Sequence, residues 1–331
     1  MHSTLTGNVA VLGCGYWGKN LVRNFHLLGA LGMVCDPSKE ALRSARETAP
    51  GVAVGTRFDE ALENDAIDAV AIATPAVTHE ALAIDALRAG KDVFVEKPMA
   101  LRLQEGLRMR EEAVRADRIL MVGHLMEFHP AVLALRELVD SGALGDIFYI
   151  YSNRLNFGKI RTAENALWSF APHDIAVILR LAGDLPVEAT CVGGNYVNPD
   201  LADVAVSCLN FASGLRAHIF VSWLNPFKEQ KLVVVGERKM AVFNDVVDTG
   251  KLVLYDQRVH VEAQGPVLQK GGTEEIAFDS EEPLLAECGH FLDCMASRER
   301  PLTDASSGIR VLRVLETCQR SLQADGKVTA L

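Results

Sequence analysis

The chain has no apolar run long enough to cross a bilayer. Its first residues, Met1 to Gly7, are polar and lead straight into a strand pattern, which is not how a secretory leader is built. It has no C-x-x-C pair; seven cysteines stand apart at 14, 35, 191, 208, 288, 294 and 318. An odd count without ligand spacing reads as free thiols in a reducing compartment, so the expectation is a cytoplasmic protein with no metal site. A basic patch is also missing. The formal net charge is −10, which argues against a nucleic-acid surface. A small anionic ligand is not excluded by that balance, because a few arginines, lysines or backbone N–H groups suffice to hold one. No internal repeat or low-complexity tract is found.

What remains is an ordinary globular composition, 49% hydrophobic and 23% charged, in 331 residues, enough for two domains. The most informative stretch is Asn8 to Leu21. A short apolar run, Val9 to Leu12, is followed by Gly13, Gly15 and Gly18 in the spacing G-x-G-x-x-G, then by a helical pattern from Asn20 to Leu28. Strand, glycines and helix in that order are the context a dinucleotide-binding turn requires. Gly13 allows the tight turn, Gly15 leaves room for a pyrophosphate, and Gly18 lets helix and strand approach. The helix N-terminus offers N–H groups and a positive dipole end to phosphate. The motif alone also fits a glycine turn that binds nothing, so the rest of the chain has to decide.

A second strand, Leu31 to Cys35, ends at Asp36, 18 residues past Gly18 and close to the spacing of about 20 expected for the ribose-binding acid. A carboxylate there accepts from both adenosine ribose hydroxyls and repels a 2′-phosphate, which favours NAD over NADP. The plainer reading is a cap on the helix Ser38 to Thr48. Strands and helices then alternate: Val52 to Val54, Phe58 to Glu63, Ile67 to Ala73, Glu80 to Ala89, Lys91 to Val95, Leu103 to Ala116 and Ile119 to Val122. Nearly unbroken apolar strands between helices argue for a doubly wound parallel sheet. Ligands of such sheets sit beyond the strands' carboxyl ends. The residues there form one set: the glycine turn with Tyr16 and Trp17, Asp36, Thr74-Pro75 with His79, Glu96-Lys97-Pro98, and Gly123-His124. A lysine at a buried strand end needs a partner or a purpose. Glu96 supplies a partner for a structural ion pair; the functional reading puts Lys97 beside a nicotinamide.

This set, in this order, resembles the Gfo/Idh/MocA family of NAD(P)-dependent sugar oxidoreductases. The resemblance implies an N-terminal NAD-binding Rossmann domain, 1–124, and a C-terminal substrate-binding and oligomerisation domain, 125–331, with a large, open, mostly antiparallel sheet. It implies NAD contacts from Gly13, Gly15, Tyr16, Trp17, Gly18, Asp36, Thr74, Pro75, His79, Glu96, Lys97 and His124, hydride transfer beside Lys97, and a homodimer or homotetramer. A histidine from the second domain completes the family's site. Here His173 stands where the pattern D-x-x-x-H places it, but position 169 is serine, which removes one acid-base candidate and leaves Lys97 and His173 as the catalytic pair. Asp174 either orients the imidazole or caps the helix expected at Ile175 to Leu181. A capping or core role is the plain alternative for His173.

The run Ser152 to Arg161 is polar and basic in an acidic chain. It suits a nucleotide diphosphate, with Arg154 or Arg161 making charge-assisted contacts; a solvated loop with surface arginines is the other reading. Together with Phe128-His129-Pro130 and Trp223 to Gln230, this run looks like the family branch that oxidises UDP-linked N-acetylated sugars at C3. Enzymes of that branch work upstream of a 3-aminotransferase in lipopolysaccharide and lipid A sugar biosynthesis. The resemblance makes Lys97, Asn153, Arg154, Asn156, Arg161, Trp168 and His173 the substrate contacts, and leaves UDP-N-acetylglucosamine and its uronate both open. The rival functions are dehydrogenation of a free polyol such as inositol, reduction with NADPH, which Asp36 opposes, and binding of NAD and sugar nucleotide without turnover. The remaining pattern gives strands from Val187 to Tyr255, a mobile polar loop at Gln264 to Glu275, and helices at Pro283 to Ser297 and Ser306 to Leu322, the last entered through Asp304 or Ser306 as cap.

Overall fold

A computed structural model describes residues 8–331; the reading of Met1 to Gly7 lies outside the described residues. The chain runs β1 (Val9–Leu12), α1 (Gly18–Leu27), β2 (Leu31–Cys35), α2 (Lys39–Thr48), β3 (Ala53–Gly55), α3 (Asp59–Leu62), β4 (Ala69–Ile72), α4 (His79–Arg88), β5 (Asp92–Glu96), α5 (Leu103–Ala116) and β6 (Leu120–Gly123). It continues through α6 (Pro130–Asp140), β7 (Ile147–Phe157), α7 (Ala166–Ala182), β8 (Pro186–Gly194), β9 (Val204–Phe211), β10 (Arg216–Ser222), β11 (Leu224–Gly236), β12 (Met240–Asn244), β13 (Leu252–Glu262) and β14 (Gly265–Glu275). It closes with α8 (Pro283–Ser297), α9 (Ala305–Gln323) and β15 (Thr329–Ala330). Two compact units result. The first takes residues up to Phe128 and then Glu281–Leu312; the second takes His129–Ser280 and Arg313–Leu331. The break therefore falls four residues past the 124/125 division expected from sequence, and α8 returns to the first unit.

The first unit is a six-stranded parallel sheet ordered β3-β2-β1-β4-β5-β6. Strands β1 and β4 are buried at every residue, which is why they read as unbroken apolar runs. The order reverses between β1 and β4, and the two chain directions away from that point open a crevice at the strand ends. Phe25 of α1, Phe94 of β5 and Phe291 of α8 meet edge-on, with centroids 5.8–6.5 Å apart. All three rings are fully buried. Each contributes roughly 1.5–3 kcal/mol by leaving water, and together they fasten α8 to the sheet.

The second unit is a nine-stranded sheet ordered β14-β13-β12-β11-β7-β10-β9-β8-β15, antiparallel throughout except where β10 runs parallel to β7. Ala217, Ile219 and Val221 alternate into the core from β10, and α7 packs on that strand. The other face keeps His218, stacked flat on Tyr151 at 5.2 Å.

Two elements, α7 and β14, differ from the sequence reading. Helix α7 begins nine residues before Ile175, because the Asn165 side chain caps it by accepting the Trp168 N–H at 3.0 Å. Pro172 lies inside the helix, and its missing donor is what made the helix look shorter. Residues 265–275 form a strand, not a loop, paired with β13 from Glu262↔Gly265 to Val253↔Glu275. Nearly all of β14 is exposed on both faces, so no apolar alternation marks it. Strand β11 starts at Leu224, and a register shift between Leu224 and Glu229 accommodates Pro226. Helix α9 enters as read, with Asp304 Oδ1 accepting the Ser307 N–H at 2.9 Å.

Candidate active site

In the first unit the glycine turn closes after β1. Gly13 has φ +87°, and a Cβ there would stand 3.0 Å from the Ala73 carbonyl oxygen. A Cβ on Gly18 would stand 2.0 Å from the Gly13 oxygen, so α1, which begins at Gly18 itself, can sit on the turn only as glycine. Gly15 is different: nothing in the protein lies within 4 Å of a Cβ there. The chain has no packing need for glycine at 15, whereas a bound pyrophosphate approaching the backbone does. That is the fit expected of a dinucleotide cradle.

Asp36 follows β2. Its carboxylate accepts the Cys14 N–H and the Ser38 N–H, both at 2.8 Å. It is thereby locked to the glycine turn and to the start of α2, with lone pairs left for ribose hydroxyls. The α2 cap is Ser38, which takes the Ala41 N–H, so Asp36 is not the helix cap. Burial pushes the Cys14 thiol up to about 12, with Asp36 adding to the effect, so this cysteine inside the motif is an inert thiol.

Beyond β4, Thr74 and Thr78 hydroxyls share a hydrogen bond at 2.7 Å. His79 is 1% exposed and lies between the carbonyl oxygens of Pro98 and Thr74, both at 2.9 Å. Burial lowers its pKa. Its ring bridges the ends of β4 and β5. Glu96 ends β5 and is buried. The indole N–H of Trp17 donates to its carboxylate, and the Lys97 backbone N–H donates at 3.2 Å. Burial pushes Glu96 up to about 7, against the opposing effects of Trp17 and Lys97. Trp17 therefore ties the glycine turn to the strand end that carries Lys97, itself half-buried. Tyr16 is largely exposed. His124 is buried just past β6.

Sequence reasoning missed two acids in this unit. Glu127, in the turn after β6, and Glu287 of α8 are 3% and 0% exposed. The signal was available: Glu287 stands among Leu284, Cys288 and Phe291 on an otherwise apolar helix face.

In the second unit His173 lies within α7, half-buried, with the buried Ser169 one turn before it. Asp174 neither caps the helix nor faces solvent. Its carboxylate accepts the Ser152 hydroxyl at 2.6 Å and is held by Arg154 through Nε at 2.8 Å and a second guanidinium nitrogen at 3.1 Å. The Arg154 guanidinium is thus paired with Asp174 through two of its nitrogens. Asn153 donates to Glu229 at 3.0 Å, and the Trp168 indole N–H donates to Gln319 at 3.1 Å. Their polar groups serve the scaffold. Asn156 and Arg161 differ: the Asn156 Oδ1 is buried with no hydrogen-bond partner among the described residues, and Arg161, in the segment after β7, is half-buried.

Comparison with known proteins agrees with this geometry. Residues 7–124 match the family model for the Gfo/Idh/MocA oxidoreductase NAD-binding Rossmann fold, and residues 132–242 match that for the family's C-terminal domain. The chain is similar to the UDP-N-acetylglucosamine 3-dehydrogenase of Acidithiobacillus ferrooxidans, at 28% identity over 91% of this chain and 93% of the relative. A solved structure of that protein superposes with a TM-score of 0.85 at 25% identity, covering 96% of this chain and 98% of the other. An inositol 2-dehydrogenase of Corynebacterium glutamicum is 32% identical over 54% of this chain and 55% of its own. An uncharacterized oxidoreductase of Streptococcus pneumoniae, also 32% identical, is matched over 57% of this chain and 53% of its own. The chain belongs to the Gfo/Idh/MocA family of oxidoreductases, built on an NAD-binding Rossmann domain.

Proposed function

We propose that this protein is an NAD-dependent dehydrogenase that oxidises the C3 hydroxyl of a UDP-linked N-acetylated sugar, UDP-N-acetylglucosamine or its uronate, to the 3-keto sugar. The observation that carries this reading is the span of the similarity. The sequence match to the UDP-N-acetylglucosamine 3-dehydrogenase runs through both units, whereas the sequence match to the Corynebacterium glutamicum inositol 2-dehydrogenase covers 54% of the chain. Substrate choice belongs to the second unit, so a relative aligned through it carries more weight.

NAD, when bound, accepts the hydride. The glycine turn holds its pyrophosphate and Asp36 its adenosine ribose. His173 takes the hydroxyl proton, because a neutral imidazole needs no large pKa shift to do so. Lys97, as an ammonium, stabilises the alkoxide that develops. Asp174 does not replace the aspartate missing at 169, since the Arg154 guanidinium and the Ser152 hydroxyl hold it with three hydrogen bonds. Asn156 Oδ1, an acceptor without a donor among the described residues, suits a sugar hydroxyl or an amide N–H, and Arg161 suits the diphosphate.

The product suits a downstream 3-aminotransferase of lipopolysaccharide sugar biosynthesis. All seven cysteines are free, which fits a reducing compartment such as the cytoplasm. The sheet face bearing Tyr151 and His218 suits packing on a second copy, as a homodimer or homotetramer. The test is incubation with NAD and a panel of UDP-sugars, coupled to a 3-aminotransferase and read by mass spectrometry. A 3-amino sugar from UDP-N-acetylglucosamine or its uronate supports the reading. Turnover of inositols alone supports the polyol reading, which the 32% identity over the aligned half favours.

A further inference from the structure

Helix α7 is interrupted at the residue before its histidine. Pro172 has no N–H to give to the Trp168 carbonyl one turn back, and a proline inside a helix kinks or loosens that turn. The two sides of the break are held separately. Before it, the Asn165 side chain accepts the Trp168 N–H and donates to Gln319 of α9 at 2.8 Å, and the Trp168 indole N–H donates to the same Gln319 oxygen at 3.1 Å. After it, Asp174 is fastened to β7. The Ser152 hydroxyl donates to its carboxylate at 2.6 Å, and Arg154 donates from Nε at 2.8 Å and from a second nitrogen at 3.1 Å. His173 stands between these two anchors. From Ala171 to Leu179 it is the one residue of α7 that is not buried. The direction in which its ring leaves the helix therefore depends on how the turn after the proline is held.

The anchor after the break is built for direction. Ser152 and Arg154 are alternate residues of one strand, so their side chains leave β7 on one face. A guanidinium fork fixes the orientation of a carboxylate as well as its place, which a single donor does not. The arginine is supported in turn. Its register partner in β11 is Gln230, whose carbonyl accepts the Asp245 N–H at 2.9 Å, and the Asp245 charge bears on the guanidinium. Asp245 itself is paired with Lys251 at 3.1 Å and lies 3.4 Å from the His129 Nε2. A buried ion pair is a poor way to gain stability, since apolar residues of the same volume do as well or better. A fixed direction for the residue beside it is something apolar packing does not supply. We propose that Ser152 and Arg154 are positioning residues for His173: by holding Asp174 to β7 they set the turn of α7 that follows Pro172, and with it the aim of the imidazole.

The inference rests on the reading of His173 as the base, not on the identity of the sugar. Magnetic resonance spectra of the full chain with histidines labelled at Cε1 test it without substrate, the signal lost in His173→Gln giving the assignment. Ser152→Ala removes one hydrogen bond and keeps the ion pair; Arg154→Lys keeps the charge and loses the fork. In both, the His173 signal should move or split. In Leu254→Ala, a truncation of the buried core at β13, it should stay, although stability in denaturant also falls. A His173 signal unchanged in Ser152→Ala and Arg154→Lys, or moved as far by Leu254→Ala, overturns the proposal. Turnover with the substrate that the wild type oxidises reads the consequence. We expect kcat to fall about tenfold in Ser152→Ala and up to about a hundredfold in Arg154→Lys, with KM and NAD affinity held within about twofold. A raised KM with kcat unchanged contradicts the proposal, and so does a moved signal with kcat unchanged, which takes His173 out of the chemistry. A wild type that oxidises no UDP-sugar defeats the functional reading instead, and the spectra still decide this one.

Discussion

The two units present their polar residues in opposite ways. In the first, the sheet order alone directs attention to the strand ends, and the residues found there have unspent capacity. Gly15 faces open space, and Asp36 has lone pairs left after accepting two backbone N–H groups. In the second, the residues that look most like ligands are spent on one another. Arg154 is locked to Asp174, Asn153 to Glu229, and Trp168 to Gln319. A parallel sheet with one topological switch point has one place for a ligand. A large mixed sheet offers many positions, and an arginine on it is as easily an internal strut as a phosphate contact.

That contrast can be broken first at the chemistry. Lys97→Ala and His173→Ala should each lower kcat by about 10²–10⁴-fold, with NAD still bound by fluorescence titration. Near-normal turnover in both would remove the catalytic assignment. The next largest effect is one of stability. Arg154→Ala leaves Asp174 buried beside Ser152 with its ion pair gone and should cost about 3–5 kcal/mol in denaturant unfolding. Arg161→Ala should leave stability within about 0.5 kcal/mol and raise KM for the sugar nucleotide. If instead Arg154→Ala changes only KM, the strut is a ligand after all.

A third effect separates the units by pH. Glu96 binds its proton more tightly folded than unfolded, so the native state holds more protons between the ordinary carboxylate pKa of 4.5 and about 7. Stability contributed at low pH is therefore lost as pH rises through that window, by about 3 kcal/mol for a shift of this size. Glu96→Gln should flatten that part of the slope in unfolding measured against pH, and an unchanged slope would show that Glu96 does not titrate there. The smallest effect is expected at Asp36. Asp36→Asn keeps an acceptor oxygen for only one of the Cys14 and Ser38 N–H groups and weakens a charge-assisted bond to ribose, costing about 1.5 kcal/mol, near tenfold in NAD affinity. A variant that instead prefers NAD over NADP as strongly as before would contradict the role given to that carboxylate.

The same contrast explains what could be read in advance. The order of apolar strands, the glycine spacing and Asp36 are local signals, and each marks a position that the parallel sheet brings to one edge. Glu96-Lys97 was legible for the same reason. His173 was legible only through family resemblance, because Pro172 breaks the helical pattern that holds it. The partnership of Arg154 with Asp174 joins β7 to α7 across 20 residues of sequence, and no local pattern announces it. Residues 265–275 escaped because a strand exposed on both faces needs no alternation. Glu287 was visible as an acid on an apolar helix face, but its full burial follows only from the packing of α8 on the sheet.

The most direct measurement uses UDP-N-acetylglucosamine, and separately its uronate, deuterated at C3, mixed with the enzyme and NAD in a single turnover. The account predicts that one of these substrates delivers its deuterium to the cofactor, read by mass spectrometry of the recovered NADH, together with a sugar that has lost C3 deuterium. Deuterium retained at C3 in both substrates, with hydride transfer observed from an inositol, would contradict it.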